Sequence, residues 1–204
     1  MTDLLASQPS HQQDKNEWIP APWIVLSRRQ ENSDTFTLEI APKYGELPAV
    51  KPGQFHMMYV FGVGEIPISF SAIKEASVEH TVRNVGSVSR ALCNLKPKSE
   101  VGIRGPYGSH WDADVCQDRD VLIIAGGVGL APLKPLVEFV VSHRDEYRNV
   151  HLLYGARNPE SLLFEAQTAE WSKTINFLLT VDTADENWKR RVGVVPSLID
   201  YVEF

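Results

Sequence analysis

The fold of this chain is decided by the stretch Val121-Leu-Ile-Ile-Ala-Gly-Gly-Val-Gly-Leu-Ala-Pro-Leu-Lys-Pro-Leu-Val137. Its opening apolar residues predict a buried strand of a parallel sheet over residues 121–124. Three glycines follow, and apolar residues at helical spacing then predict a helix over residues 131–143. A glycine turn between a strand and a helix suits a diphosphate, because the backbone can approach it closely and free N–H groups at the helix start face its charge.

The spacing of this motif is G-G-x-G-x-x-P, which differs from the G-x-G-x-x-G of the Rossmann dehydrogenases. By itself the motif has two interpretations. It is either a dinucleotide site or a tight strand-to-helix turn of the kind that any α/β domain uses. The sequence on either side of it has to distinguish the two.

Composition excludes several classes of protein. The 204 residues carry a net charge of −6 without a basic stripe, so nucleic acid is not an expected partner. No apolar run approaches the roughly 18 residues of a membrane span. Residues 1–17 are polar and lack the apolar core of a secretion signal, so we expect a disordered tail and a cytoplasmic protein.

Cysteine and histidine give no sign of a metal centre. Cys93 and Cys116 are too few to supply the four thiolates of an iron–sulfur cluster, so no 2Fe–2S cluster is expected in this chain. The histidines are scattered without metal-ligand spacing, and each is expected at the surface or as a satisfied core residue. The histidines in question are His56, His80, His110, His143 and His151.

The first half of the chain reads as short strands separated by turns. Six strands and one helix, the helix near residues 87–95, predict a small antiparallel barrel or sandwich. The predicted strands cover residues 23–26, 35–40, 55–61, 67–72, 78–82 and 101–104.

From residue 121 onward, strand and helix alternate, which predicts a parallel sheet with helices on its faces. The predicted strands are 121–124, 150–154 and 175–181, and the predicted helices are 131–143, 160–172 and 196–201. A polar, Asp-rich segment at 111–119 separates the two halves, which places the domains at residues 18–112 and 113–204.

The second half is narrow. Three strands are fewer than the four to six or so that are usual in a sheet. A fourth strand is expected where the chain stops, so the chain is either naturally short or truncated. The edge after residues 175–181 is expected to be exposed and to invite pairing with another chain.

Five short sequence motifs occur along the chain in the order in which a known protein family has them. They are Pro52-Gly-Gln-Phe55, Ile66-Pro-Ile-Ser-Phe-Ser71, Val85-Gly-Ser-Val-Ser-Arg-Ala-Leu92, Gly105-Pro-Tyr-Gly108 and Ala125-Gly-Gly-Val-Gly-Leu-Ala-Pro132. With them the chain resembles the ferredoxin–NADP reductase superfamily over roughly residues 20–204. It looks most like the gamma subunits of cytoplasmic nickel–iron hydrogenases and sulfhydrogenases. The corresponding component of anaerobic sulfite reductase and the electron-transfer subunit of dihydroorotate dehydrogenase are relatives. The resemblance implies a six-stranded antiparallel FAD-binding barrel followed by a shortened parallel α/β domain that binds NAD(P).

The implied flavin site departs from the family pattern at one strand. The family motif R-x-Y-[ST] is here Ile66-Pro67-Ile68-Ser69, so the guanidinium that pairs with phosphate and the ring that stacks are both missing. By the resemblance, the hydroxyl of Ser69 lies near flavin N5 and is the catalytic group. Arg83 and Arg90 are candidates for the missing charge. Otherwise this stretch is an ordinary barrel strand with a buried serine.

A second flavin landmark stands at the start of the barrel's helix. A glycine before a helix N-terminus offers backbone donors to a pyrophosphate. Ser89 either adds a hydroxyl to that site or only caps the helix. The contacts with FAD that the resemblance implies are Pro67, Ile68, Ser69, Phe70, Gly86, Ser87, Val88 and Ser89.

The nicotinamide dinucleotide, NAD(H) or NADP(H), is expected across the glycine turn. Arg157 follows the second strand, where it either meets the 2′-phosphate of NADP or is only a solvated charge. The implied contacts are Gly126, Gly127, Val128, Gly129, Leu130, Arg157 and Asp182.

The function implied by the resemblance is flavin-dependent electron transfer between NAD(P)H and an iron–sulfur or hydrogenase partner subunit. The step is hydride transfer between nicotinamide and flavin N5, and the cofactors carry the chemistry. Two alternatives are a stand-alone NAD(P)H flavin reductase and a non-catalytic remnant that binds a nucleotide or a partner. The family's Cys-Gly-Pro strand and cysteine cluster are absent from this sequence, so slow turnover by the isolated chain is expected.

Overall fold

Six antiparallel strands close into a barrel in the computed structural model, which describes residues 18–203. The strand order around the barrel is β1-β2-β5-β4-β3-β6, with β6 returning to pair with β1. The barrel, rather than the sandwich, is therefore the architecture of the first half. The strands are β1 (Ala21–Gln30), β2 (Thr35–Pro42), β3 (Phe55–Val60), β4 (Gly64–Ile73), β5 (Val78–Arg83) and β6 (Glu100–Tyr107).

The barrel closes because its strands present one apolar face inward. In β2, Leu38 and Ile40 are fully buried, as the alternation of apolar and polar residues predicts. The single helix of this half, α1 (Ser87–Cys93), packs Leu92 and Cys93 into the same core. The predicted tail, residues 1–17, lies outside the described residues.

The second half is a parallel sheet with its own core. Its main strands are β7 (Val121–Gly126), β8 (Val150–Ala156) and β9 (Asn176–Val181). Every residue of β8 is buried, as is typical of an inner strand of a parallel sheet. The helices of this half are α2 (Leu130–Ser142) and α3 (Glu165–Trp171).

The sheet has a fourth strand that the sequence analysis missed. β10 (Arg191–Val192) is two residues long and pairs in parallel with the end of β9. The prediction of three strands was therefore wrong. β10 covers Thr180 and Val181 only, so the predicted edge is closed at the end of β9 and not along its first four residues. The order β10-β9-β8-β7 leaves β7 with a single neighbour within the described range.

Two predicted helices take other forms. The helix predicted at 160–172 is a 3-10 turn (Pro159–Ser161) followed by α3, with Phe164 between them in the left-handed conformation at φ 56°. Leu162, Leu163 and Phe164 are all buried, so packing pulls this segment out of helical geometry. The last predicted helix is a 3-10 helix, Val195–Tyr201. Among residues 18–203, no helix has the length and apolar character that a membrane crossing requires.

Candidate functional site

The glycine turn between β7 and α2 is an open cradle. Gly127 has a φ of +51°, a backbone conformation that residues with a Cβ atom rarely adopt. A Cβ placed on Gly126, Gly127 or Gly129 would meet no atom within 4 Å. No side chain caps the 3-10 turn Gly127–Gly129 or the start of α2 that follows it. The Leu130 N–H donates to the carbonyls of Gly127 and Val128, so the donors that can meet an anion are the first N–H groups of the turn itself. The geometry therefore has the space and the donors that a diphosphate needs.

The ends of the neighbouring strands carry two of the predicted nucleotide contacts. Arg157 follows β8 and Asp182 follows β9, and both residues are exposed. The Asp182 N–H donates to the carbonyl of Ala156 at 2.9 Å, which holds the two strand ends together. Val128 in the turn is 37% exposed, whereas the side chain of Leu130 is fully buried. Leu130 therefore belongs to the core, and its N–H is used within the turn, where it donates to the carbonyls of Gly127 and Val128.

A cavity of about 220 Å³ lies between these strand ends and the barrel. It brings together four predicted residues of the nucleotide site with barrel residues that the sequence analysis did not assign to it. The lining consists of Asn32, Asp34, Thr35, Arg83, Gly127, Val128, Arg157, Ser161, Leu163 and Asp182. A larger cleft of about 570 Å³ runs along α3 and β9 and contains none of the predicted site residues.

The barrel wall of the cavity is charged. Arg83 donates from Nε to Oδ2 of Asp34 at 2.8 Å. Burial opposes ionisation of Asp34, but hydrogen bonds from Arg83 and Thr35 and the positive charges of Arg83 and Arg157 outweigh it, so the pKa of Asp34 lies below its usual value. Two guanidinium groups thus face one region of the cavity. Arg83, one of the two candidates for the missing charge, lies in this wall, whereas Arg90 is exposed on α1.

The glycine turn and the predicted flavin strand are held together by a buried lysine. Lys134, in α2, is 4% exposed and donates from Nζ to the backbone carbonyl of Ser71, in β4, at 3.2 Å. Its charge is balanced by Glu138 one helical turn later, at 2.8 Å. Because α2 starts at the glycine turn, this contact sets β4 beside that turn. The sequence analysis missed Lys134, since nothing in a helical pattern marks a lysine as buried.

Within β4, the predicted flavin contacts face different environments. Ser69 and Ile68 are half-buried and Pro67 is exposed. Phe70 is fully buried in the barrel core, so its ring has no face left for a cofactor. Ser69 therefore remains the polar group that this strand offers at the surface of the barrel.

Two histidines prove not to be scattered. His56 and His80 lie side by side in the barrel core, with Nδ1 of His56 3.2 Å from Nε2 of His80. Nδ1 of His80 lies 3.0 Å from the backbone carbonyl of Ser69. His110 and His143 are exposed, as expected. No group of three or more His, Cys, Asp or Glu suited to a metal ion occurs in the described part of the chain.

The second flavin landmark is an exposed glycine before α1. Gly86 and Ser87 are exposed, and a Cβ on Gly86 would meet no atom within 4 Å. Val88 is half-buried and packs near Gly64, the first residue of β4. Ser89 is buried, and its hydroxyl accepts hydrogen bonds from the N–H groups of Val85 and Gly86 at 3.0 and 2.8 Å. Ser89 thus caps the helix, which is the second of its two interpretations.

Comparison with known proteins agrees with the geometry. Residues 123–201 match the family model described as the oxidoreductase NAD-binding domain. The chain is similar to sulfhydrogenase 1 subunit gamma of Pyrococcus furiosus, at 33% identity over 154 residues, which are 72% of this chain and 52% of that protein. It is also similar to the probable dihydroorotate dehydrogenase B (NAD(+)) electron transfer subunit of Methanocella arvoryzae, at 44% identity over 153 residues, 75% of this chain and 53% of that protein. The chain therefore spans about half the length of these curated relatives.

The fold is also found among solved structures. The ferredoxin reductase in carbazole 1,9a-dioxygenase superposes with a TM-score of 0.77 at 19% identity, over 89% of this chain and 56% of that one. At this identity the likeness concerns the fold, a closed antiparallel barrel followed by a parallel sheet with helices. Residues 123–201 therefore match an oxidoreductase NAD-binding domain, and the chain shares its fold with a ferredoxin reductase and sequence similarity with sulfhydrogenase gamma and dihydroorotate dehydrogenase electron transfer subunits.

Proposed function

We propose that this chain binds FAD and a nicotinamide dinucleotide and transfers electrons between NAD(P)H and a partner subunit that carries metal centres. The observation that carries the proposal is the contact between Lys134 and the Ser71 carbonyl. That contact sets β4, the strand with the predicted flavin contacts, beside the glycine turn at the start of α2. A hydride donor on the turn and an acceptor on the strand would then be neighbours, which is the proximity that such a transfer needs.

The residues around β4 and α1 fit a flavin in part. Ser69 offers a half-buried hydroxyl, and the N-terminal side of α1 offers an exposed glycine with free space around it. The family's arginine and tyrosine are replaced by Ile66 and Ile68, so apolar contact takes the place of the ion pair and the stacked ring. A bound flavin would supply the conversion between two-electron transfer from nicotinamide and one-electron transfer to a metal centre.

The glycine turn and the strand ends fit a dinucleotide. The first N–H groups of the 3-10 turn Gly127–Gly129 would face the diphosphate, and the three glycines leave room for it. Arg157 and Arg83 add positive charge on both sides of the cavity, and Asp182 offers a carboxylate to a sugar hydroxyl. In this scheme the protein binds and orients the cofactors by non-covalent contacts, and no side chain forms a covalent bond to them.

The identity of the flavin tests the proposal. We expect purified protein to be yellow and to release FAD, and not FMN, when it is denatured by heat and the supernatant is separated by chromatography against both standards. Recovery of FMN alone would contradict the assignment. Colourless protein that cannot be loaded with FAD would favour a non-catalytic remnant, and rapid reduction of a soluble acceptor by the monomer would favour a stand-alone reductase.

A further inference from the structure

Strand β4 carries a β-bulge at Ser71, two residues after Ser69. Across the pairing of β4 with β5, Phe70 lies opposite His80, but Ala72 lies opposite Glu79. Ser71 is therefore an extra residue on β4. A bulge leaves backbone groups without ladder partners and changes the direction of nearby side chains. The direction of the Ser69 hydroxyl thus depends on what holds this bulge in shape.

Two buried side chains contact backbone carbonyl groups on β4, one at the bulge itself and one two residues before it. His80, fully buried, lies with Nδ1 3.0 Å from the Ser69 carbonyl oxygen. Lys134, 4% exposed, donates from Nζ to the Ser71 carbonyl at 3.2 Å. This part of β4 is therefore fixed from inside the barrel by one residue and from the nucleotide-binding half by the other.

The tautomers of the two histidines follow from this geometry. A carbonyl oxygen can only accept, so Nδ1 of His80 carries the proton and donates to Ser69. In a neutral imidazole the other nitrogen is then an acceptor, so Nδ1 of His56 donates to Nε2 of His80 at 3.2 Å. The hydrogen bonds consequently run in one direction, from His56 to His80 to Ser69.

Both imidazoles are held neutral by their surroundings. Burial lowers the pKa of His80 to about 4, and burial together with His80 lowers the pKa of His56 to about 2. Nε2 of His56 is buried and has no hydrogen-bond partner in the described structure. The ring is instead held by edge-on contacts with Trp23 and Phe70, at centroid distances of 5.0 and 4.6 Å. A leucine and a phenylalanine would fill this space without the energetic cost of burying an unpaired nitrogen. Packing alone therefore does not account for histidine at these two positions.

We propose that His80, kept in its Nδ1–H tautomer by His56, is a positioning residue that fixes β4 just before its bulge and thereby aims the Ser69 hydroxyl at the cofactor. The inference rests on the proposed function in one respect, that Ser69 faces the flavin. The arrangement of the histidines themselves does not depend on it.

The first experiment needs no cofactor. Nitrogen-15 NMR of the imidazole rings in cofactor-free protein at pH 7 should find both His56 and His80 as Nδ1–H tautomers, although the Nε2–H form is the commoner one in water. His80→Asn removes one ring and assigns the signals. An Nε2–H tautomer at His80 would overturn the proposal whatever the protein's function is.

The second experiment asks whether His80 acts through Ser69. His80→Leu, which removes the donor, and His80→Asn, which keeps an N–H near the position of Nδ1, are each combined with Ser69→Ala. His143→Leu provides the same change at an exposed site. Stopped-flow flavin reduction by NADH, the flavin midpoint potential and the FAD content are measured for each protein.

We expect His80→Leu to slow flavin reduction between about tenfold and a hundredfold, and to shift the midpoint potential in the same direction as Ser69→Ala. In the Ser69→Ala background, His80→Leu should cause no further loss. His80→Asn and the control His143→Leu should stay within about twofold of the parent. If the rate of flavin reduction in the His80→Leu/Ser69→Ala double variant falls by the product of the two single losses, the proposal is overturned, because His80 would then act independently of Ser69.

Two outcomes separate the inference from the function it builds on. If the parent protein binds no flavin, the proposed function fails, and the tautomer measurement alone decides the hydrogen-bond chain. If His80→Leu does not fold, His56→Leu takes its place, because it frees His80 to change tautomer without removing it. A loss of rate in His56→Leu that persists unchanged in the Ser69→Ala background would then count against the proposal.

Discussion

Acidification should destabilise this protein through the two histidines in the barrel core. His56 and His80 are both buried, and burial lowers their pKa values from the ordinary 6.5 to about 2 and about 4. The sign follows from proton uptake. Below pH 6.5 the unfolded chain binds a proton at each imidazole that the folded chain does not bind. Stability is therefore lost as the pH falls from about 7 toward the folded pKa values.

The magnitude follows from the same values. At pH 5 an unfolded imidazole is almost fully protonated, while the folded pair is still mostly neutral. Each ring then costs about 2 kcal/mol relative to pH 7, and the pair about 4 kcal/mol. The carboxylates of Asp34 and Glu39 have pKa values below their usual range, so their contributions are lost mainly below pH 5. The interval between pH 7 and pH 5 therefore reports chiefly on the histidines.

Urea unfolding at pH 7, 6 and 5, followed by tryptophan fluorescence, measures the effect. Trp23 packs against His56 and reports on the barrel core. The double variant His56→Asn/His80→Asn should lose most of the pH dependence, and His143→Asn at the exposed end of α2 should keep it. A decrease below about 1 kcal/mol in the parent, or an equal decrease in the double variant, would refute the reasoning.

Two substitutions at glycines test the nucleotide-binding half. Gly127→Val should weaken binding of NADH and NADPH, measured by titration, while flavin content is kept, because the side chain enters open space and must adopt the φ of +51°. Gly45→Val is its control, with a φ of +77° and equally open surroundings, and equal losses of affinity would show that backbone strain and not the site is responsible. Gly155→Ala should lower the free energy of unfolding by about 1–3 kcal/mol, because its Cβ would lie 2.1 Å from a methyl group of Val195. Gly126→Ala, with no atom within 4 Å, should leave stability nearly unchanged, and equal melting temperatures for these two variants would contradict the packing argument.

The sequence by itself determined the features that depend on neighbours along the chain. Alternating apolar residues predicted the burial of Leu38 and Ile40 in β2, and the apolar run at residues 121–124 predicted β7, because burial repeats with the geometry of the strand. Thr35 and Thr37, on the polar face of the same alternation, are buried as well. The glycine turn was equally readable, since its conformation and its free N–H groups depend on only a few consecutive residues. Ser69 and the glycine at 86 were reached through the order of the family's landmarks, and their roles stay predictions.

Only the tertiary structure decided the features that join distant parts of the chain. Asp34 and Arg83 become a wall of the 220 Å³ cavity because strands from the barrel meet the ends of β8 and β9, and no pattern in the sequence fixes that meeting. β10 escaped notice because two exposed residues are too few to show a period. Phe164 leaves the expected helix because burying three consecutive side chains outweighs local helix propensity.

The histidine pair shows the same limit most clearly. His56 and His80 are 24 residues apart and looked unrelated, since nothing in their spacing suggests contact. They meet because β3 and β5 both flank β4, and His80 also meets the carbonyl of Ser69, two residues before the bulge at Ser71. A register shift of one residue is a property of paired strands, so it cannot be read from either strand alone.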